Sequence, residues 1–423
     1  MWGYWLFFAV ESLLVHFVLP VEGLAMSDEA YIALIIFNSL ALVSLLKIKY
    51  RHDGNFAILM IGGFLFRLFL MFWSEYFSHV FTLPNSGADE MTYYYNAMSA
   101  LVKDKEFTGY ALLFSWQARL FGLSKLYGKF VNVLLSVSAI TILRRILIQL
   151  KLDSQVQTRT LTFACFLPNF AILSALLLRE SIIIFLVAVS VYCLLQWWQE
   201  GKLGGLLIAL VVSMGAAWLH SGMIAYTLGI LCVAVSARRT PDGRRFELVS
   251  VRTMALSAVT ATVVLLAVLN LNIGLSSYFR GADSLEDIVS IADAYEEGGS
   301  AYNANIVNND STAGFIINTP FRMFYFIFAP VPWNWRSATD AVAFVFSAVF
   351  YGCVFIQTMV CVLKTRNSSV VAVLFLIALL TLMMFGWGVS NSGTALRHRD
   401  KMVIHYLIMY AVIQNEKVPH RRR

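Results

Sequence analysis

The sequence predicts an all-α, polytopic membrane protein. Of its 423 residues, 59% are hydrophobic and only 13% are charged, about half the charged share of a soluble domain. The apolar residues fall in runs of roughly 17–25, the length a helix needs to cross a bilayer. Basic residues gather in the breaks between these runs, as topology signals do.

Taken in order, the runs predict about twelve spans, near 4–20, 29–46, 55–74, 127–148, 158–177, 180–198, 203–220, 222–237, 253–273, 338–362, 368–386 and 400–414. The first run lacks a basic leader and carries Glu11, so it reads as a retained helix and not a cleaved signal peptide. The basic groups are Lys47, Lys49 and Arg51; Arg144, Arg145, Lys151 and Arg159; Arg238, Arg239, Arg244, Arg245 and Arg252; Lys364 and Arg366; and the tail from Lys417 to Arg423. Twelve spans put all five groups on one side, which is then cytoplasmic, with both termini inside. No internal repeat or low-complexity tract divides the chain, so residues 1–423 read as one transmembrane domain.

Two long loops fall on the outer side. The first, 74–126, contains amphipathic pieces near Met91–Val102 and Tyr110–Phe121. The second piece carries Gln117 and Arg119. If it crossed, the Arg144 cluster would move outside, so both pieces are laid along the membrane surface. The second loop, 274–337, begins with an acidic stretch holding Asp283, Glu286, Asp287, Asp293, Glu296, Glu297 and Asp310. It reads as a cover over a site. Its end, PFRMFYFIFAPVPWNWRS, is aromatic. Pro330 and Pro332 argue against a straight helix there, while Trp333 and Trp335 suit an interfacial belt.

Several functions are excluded early. The net charge of +7 lies in inter-span loops and not on one face, which does not fit nucleic acid. The five cysteines sit in or at the ends of spans with no CxxC pair, which supports neither a disulfide framework nor a zinc site. The acidic loop lacks a calcium-loop spacing. No cofactor is expected, and no residue pattern supports a divalent metal.

The ionisable residues beside membrane depth point to chemistry. On the outer side stand Asp89 and Glu90, then Arg67, Arg179, His220, Arg322, Arg336, and the run Arg397, His398, Arg399, Asp400, Lys401. Positive-inside topology does not account for so many outer cations. Guanidinium groups bind phosphate bidentately, so the set suits an anionic lipid headgroup, and a carboxylate nearby could take a proton from an attacking hydroxyl. Plainer readings stand beside each. Asp89 suits the first turn of a helix, Arg179 and Glu180 suit a tight turn, and His220 suits an interfacial histidine. Arg397 to Arg399 suit snorkelling side chains. Tyr93, Tyr94 and Tyr95 suit an aromatic belt as well as stacking on a sugar.

Asp89-Glu90, the tyrosines, GYALLFSWQARLFG and KFVNVLLSVSAITILRRIL resemble the first half of GT-C membrane glycosyltransferases. The resemblance implies a GT-C-like fold with two extra spans in 1–54 and membrane-surface helices in the first outer loop. It places the family's catalytic acid on Asp89, with Glu90 beside it. LLLRESIIIFL, AAWLHSGMI and NSGTALRHRDKM resemble the bacterial Wzy-type exopolysaccharide and O-antigen polymerases, matching Arg179, His220 and Ser221. The likeness covers about 55–230 and 320–405; the acidic stretch has no counterpart in it.

The resemblance therefore implies a bacterial inner-membrane polymerase acting at the outer face. Its donor and acceptor are undecaprenyl-diphosphate-linked repeat units, and membrane lipids and other polysaccharide assembly proteins are its expected partners. Arg179, Arg322, Arg336, Arg397, Arg399 and Lys401 are the expected headgroup contacts, and Tyr94 a sugar contact. Asp89, His220 or His398 is the expected base. The alternatives are a GT-C transferase using a lipid-monophosphate sugar, a flippase of lipid-linked sugars, and a structural membrane subunit. A flippase needs charges through the middle of its bundle, whereas these collect at one face. Reporter fusions at Arg244 and Ala88 are expected to report opposite sides of the membrane; the same side for both would remove this topology.

Overall fold

The structure, a computed structural model, describes residues 2–18, 25–103, 109–239, 246–248, 300–307, 312–364 and 369–417. The expected span at 253–273, the acidic residues Asp283 to Glu297 with Asp310, and Arg244, Arg245, Arg252 and Arg366 lie outside the described residues. The described chain is helical apart from one short antiparallel ladder, β1 (Ala237–Arg239) with β2 (Phe246–Leu248). Among the described residues, six helices are long and apolar enough to cross a membrane by length and composition, consistent with a membrane-embedded protein. The chain divides into two compact units, Met1–Arg144 with Leu161–Phe185, and Arg145–Thr160 with Leu186–Arg423.

The first unit opens with α1 (Trp2–Val18), α2 (Asp28–Lys49) and α3 (Gly54–Tyr76). Ser27 caps α2 by accepting from the Ala30 N–H. Asp28 and Glu29 fill its first turn, and Lys47 and Lys49 its last, each complementing the helix dipole. Asp53 caps α3 through the Phe56 N–H and pairs with Arg144, whose guanidinium lies over Tyr50 and Phe56. The first long loop then forms α4 (Ala88–Val102) and α5 (Gly109–Phe121), which pack on each other. Next comes α6 (Lys125–Gln149).

The expected span at 158–177 is broken in two. α7 (Ser154–Phe166) stops before Pro168, and α8 (Pro168–Ser174) starts on it. Proline has no N–H, so Pro168 cannot donate to the carbonyl four residues back, that of Ala164. Arg67 of α3 supplies the missing donors: Nη2 to the Ala164 carbonyl at 3.0 Å and Nη1 to that of Cys165 at 2.6 Å. Its guanidinium also lies 4.7 Å over the Phe170 ring. Gly63 permits this approach, because a Cβ there would come within 2.8 Å of the Cys165 Cβ. Residues 175–179 are non-helical, and α9 (Glu180–Glu200) begins after them.

The second unit holds α10 (Leu203–Leu219) and α11 (Ile224–Ser236). After the residues outside the description come α12 (Thr312–Phe328), α13 (Ala338–Lys364), α14 (Ser369–Gly388), α15 (Ser392–Asp400) and α16 (Val403–Glu416). α14 packs against α11, α12 and α16. α12 lies within the stretch that the sequence reading assigned to the second loop, 274–337. The helix passes through Pro320, ending two residues before Pro330. With 14 residues, α16 is about 21 Å long, short for a span.

The Pro168 repair gives a stability prediction. Arg67→Met is expected to destabilise the protein by about 2–4 kcal/mol, because two buried carbonyls lose their donor. Thermal unfolding in detergent checks it, and an unchanged midpoint would mean that other donors take over.

Candidate functional site

In the second unit, the structure brings two expected residues together. His220 follows the last turn of α10 with extended backbone. Its Nδ1 accepts the Gly222 N–H at 3.2 Å, which puts the neutral ring's proton on Nε2. That Nε2 lies 3.1 Å from Nε2 of His398 on α15. Assigned from this network, His220 donates and His398 accepts. The rings meet edge to face with centroids 4.6 Å apart, and Phe385 of α14 packs on both at 5.4 and 5.0 Å.

α15 owes its position to Asn391, whose Oδ1 accepts from the Gly393 and Thr394 N–H groups and from the Ser300 hydroxyl. Residues 300–302 are stitched alongside: the Tyr302 N–H donates to the Ser390 carbonyl, and the Ser392 N–H to that of Ser300.

The basic run on α15 is sorted by burial. Arg397 and His398 are half-buried, whereas Arg399, Asp400 and Lys401 are buried. Arg399 donates to the carbonyls of Phe326, Ile327 and Ala329 at the end of α12. Pro330 cannot donate to the Phe326 carbonyl, four residues back, so Arg399 repeats the repair that Arg67 makes at Pro168. Burial lowers the Arg399 guanidinium to about 10, which still leaves it charged at neutral pH. Asp400 accepts the Tyr351 hydroxyl at 2.8 Å. Lys401 Nζ lies 5.7 Å from the centroid of Phe385. A small cavity lined by Phe326, Tyr351, Thr381, Phe385, His398 and Arg399 borders His398.

Arg322 is also buried. It donates to the Trp387 carbonyl in the last turn of α14 and to the Asn305 side chain. Arg336 is exposed at the foot of α13, where its N–H donates to Asp340. The expected ring of headgroup arginines therefore divides: Arg322 and Arg399 hold helix ends, while Arg397 and Arg336 stand nearer the surface.

The first unit carries a second polar centre. The acidic pair splits at the start of α4: Asp89 is exposed and Glu90 buried. Glu90 Oε1 accepts the Leu177 N–H at 2.8 Å and lies 3.3 Å from Lys129 Nζ; Oε2 accepts the Gly87 N–H at 3.3 Å. Lys129, only 1% exposed, also reaches the Ser74 hydroxyl and Glu75. Asn132 donates to the carbonyls of Leu176 and Leu178 and to the Tyr110 hydroxyl. Burial raises that phenol's pKa, so it stays protonated. Arg179 leaves this turn half-buried, and Glu180 follows fully buried. Tyr94 is half-buried on α4, edge-on to Tyr95.

Lys129, Glu75, Asn132, Tyr351 and Asn391 were not singled out by the sequence reading. A signal existed for two of them, since Lys129 and Asn132 lie within an expected span. Among the described residues, no group of three or more His, Cys, Asp or Glu converges as a metal site would. The chain matches no family model, no curated protein and no solved structure.

Arg399→Lys is expected to destabilise by about 2 kcal/mol, because one ammonium cannot span three carbonyls. Arg397→Lys, at a half-buried residue that keeps its charge, should cost less than Arg399→Lys. Equal midpoints for the two variants in thermal unfolding would contradict this division.

Proposed function

We propose that the protein is a membrane glycosyltransferase of the polysaccharide-polymerase kind. It joins undecaprenyl-diphosphate-linked oligosaccharide units at the outer face of the bacterial inner membrane. The observation that carries this is the His220–His398 contact, flanked by the cations of α15. A base within hydrogen-bond reach of a second, oriented group is what hydroxyl activation needs.

In this scheme the Nε2 of His398, released from the His220 N–H, takes the proton of the acceptor hydroxyl. The oxygen attacks the anomeric carbon, and the bond to the lipid diphosphate breaks, with the electron pair leaving on the phosphate oxygen. Arg397 binds that developing charge, and Lys401 adds positive potential from its buried place beside Phe385. Arg336, exposed, is a further headgroup contact. The first unit carries a separate candidate set, with exposed Asp89 as base, Arg179 as a headgroup contact and Tyr94 as a sugar contact. Arg322, Arg399 and Glu90 are left out of substrate contact, because their polar atoms hold main-chain groups.

One observation favours a second scheme. With Arg322 and Arg399 committed to helix ends, fewer cations remain for a diphosphate. That suits a transferase using a lipid-monophosphate sugar to decorate one acceptor.

The test is a gene deletion complemented with wild type, His398→Gln or Asp89→Asn, with surface glycans run on a gel. For a polymerase, the deletion leaves single repeat units without long chains. His398→Gln is expected to lower long-chain output by about 10²–10⁴-fold, as for loss of a general base. Intact chains missing one substituent would favour the decorating transferase. Unchanged glycans would refute both.

A further inference from the structure

Residues 175–179 are a non-helical turn between α8 and α9. In an apolar protein, main-chain groups outside a helix must find partners from side chains. Here they come from two different elements. Glu90 of α4 accepts the Leu177 N–H. Asn132 of α6 donates to the Leu176 carbonyl at 2.7 Å and the Leu178 carbonyl at 2.9 Å. Three main-chain polar groups of residues 176–178 are thus held by two buried side chains, at 5% and 1% exposure.

Both holders are themselves held. Lys129 fixes the Glu90 carboxylate from one side, and the Gly87 N–H binds it from the other. Lys129 is in turn locked by Ser74 and Glu75, and Lys125 reaches the second oxygen of Glu75 at 3.2 Å. Tyr110 backs Asn132 at 3.1 Å, with Tyr93 edge-on to it at 4.9 Å. Tyr93 also packs on the Leu173, Leu176 and Leu178 cluster. The residue leaving this turn is Arg179, and the residue before Glu90 is Asp89.

We infer that Glu90 and Asn132 are positioning residues, which fix the 176–178 main chain so that Arg179 is held in place beside α4 for an anionic headgroup. The inference rests on the proposed role of Arg179 as a headgroup contact. Glu90 does not touch substrate in this account. Its adjacency to Asp89 divides two neighbouring acids between architecture and chemistry.

The test uses the full-length protein in lipid nanodiscs, with Cys353 and Cys361 replaced by serine and with Arg179→Cys. A positively charged thiosulfonate reagent reports the reactivity of position 179 without any substrate. Glu90→Gln keeps the shape but removes the charge, and Asn132→Ala removes the donor to both carbonyls. Each is expected to raise the labelling rate by about tenfold, the equilibrium change that loss of one or two buried hydrogen bonds brings. Unchanged rates in both variants, at an unchanged melting midpoint, would overturn the positioning role. Asn132→Ala carries the test if Glu90→Gln does not fold.

A second measurement separates this from the headgroup role. Binding of undecaprenyl diphosphate is measured with Arg179 intact, with Glu90→Gln, with Arg179→Ala and with both. A positioning residue weakens binding alone but adds nothing once Arg179 is gone. Equal losses in both backgrounds would show that Glu90 acts independently of Arg179, and overturn the inference. Faster labelling in a protein whose wild type binds no probe would overturn the headgroup role of Arg179 and leave the positioning intact.

Discussion

Much of this structure depends on buried side chains that satisfy helix ends where no water reaches. The two clearest cases share one cause. Pro168 and Pro330 each remove the N–H that would bond the carbonyl four residues back. Arg67 meets the first carbonyl and Arg399 the second, each adding a neighbouring carbonyl to its fork. An arginine suits this place because its planar fork presents several donors in fixed geometry and keeps its charge when buried. It also meets the negative end of the helix dipole. The same need is met elsewhere with other donors: Arg322 at Trp387, and Tyr31 at Phe121 in the last turn of α5.

This constraint changes what the cations mean. Counted in sequence, they form one basic set suited to phosphate. In the fold, Arg67 and Arg399 spend their donors on main-chain carbonyls, and Arg322 divides its donors between the Trp387 carbonyl and the Asn305 side chain. The candidate chemistry contracts to the His220–His398 pair and its neighbours in the second unit, and to Asp89 with the Arg179 turn in the first. Within α15, one short helix presents His398 to His220, buries Arg399 under α12 and turns Asp400 to Tyr351. Successive positions on a helix point about 100° apart, so a run of five ionisable residues must serve several different neighbours.

The helical class was legible in the sequence, because membrane-length apolar runs leave little else for the backbone to form. α2, α3, α6 and α9 lie close to their expected ranges. The break at Pro168 was less legible. The apolar run continued across it, and hydrophobicity does not register a missing N–H. α12 was obscured for the opposite reason, since a polar approach and Pro320 masked a helix whose buried Asn318 holds Ile306 and Val307. Of the site, His220 and His398 were each visible as polar residues beside apolar runs, yet 178 residues separate them. Glu90 and Asp89 looked alike in sequence, and only burial told them apart.

What the sequence determined by itself was local. It set the helical periods, the proline stops, the acidic and basic residues at helix ends, and the inventory of ionisable groups beside apolar runs. Those follow from covalent geometry and from the cost of exposing backbone to an apolar medium, which act on each segment alone. The tertiary structure decided which inventory members are spent. A donor fork closes on carbonyls about 100 residues away, as Arg67 does at Ala164 and Cys165, only once packing has brought the segments within hydrogen-bond distance. No pattern within one segment encodes that meeting.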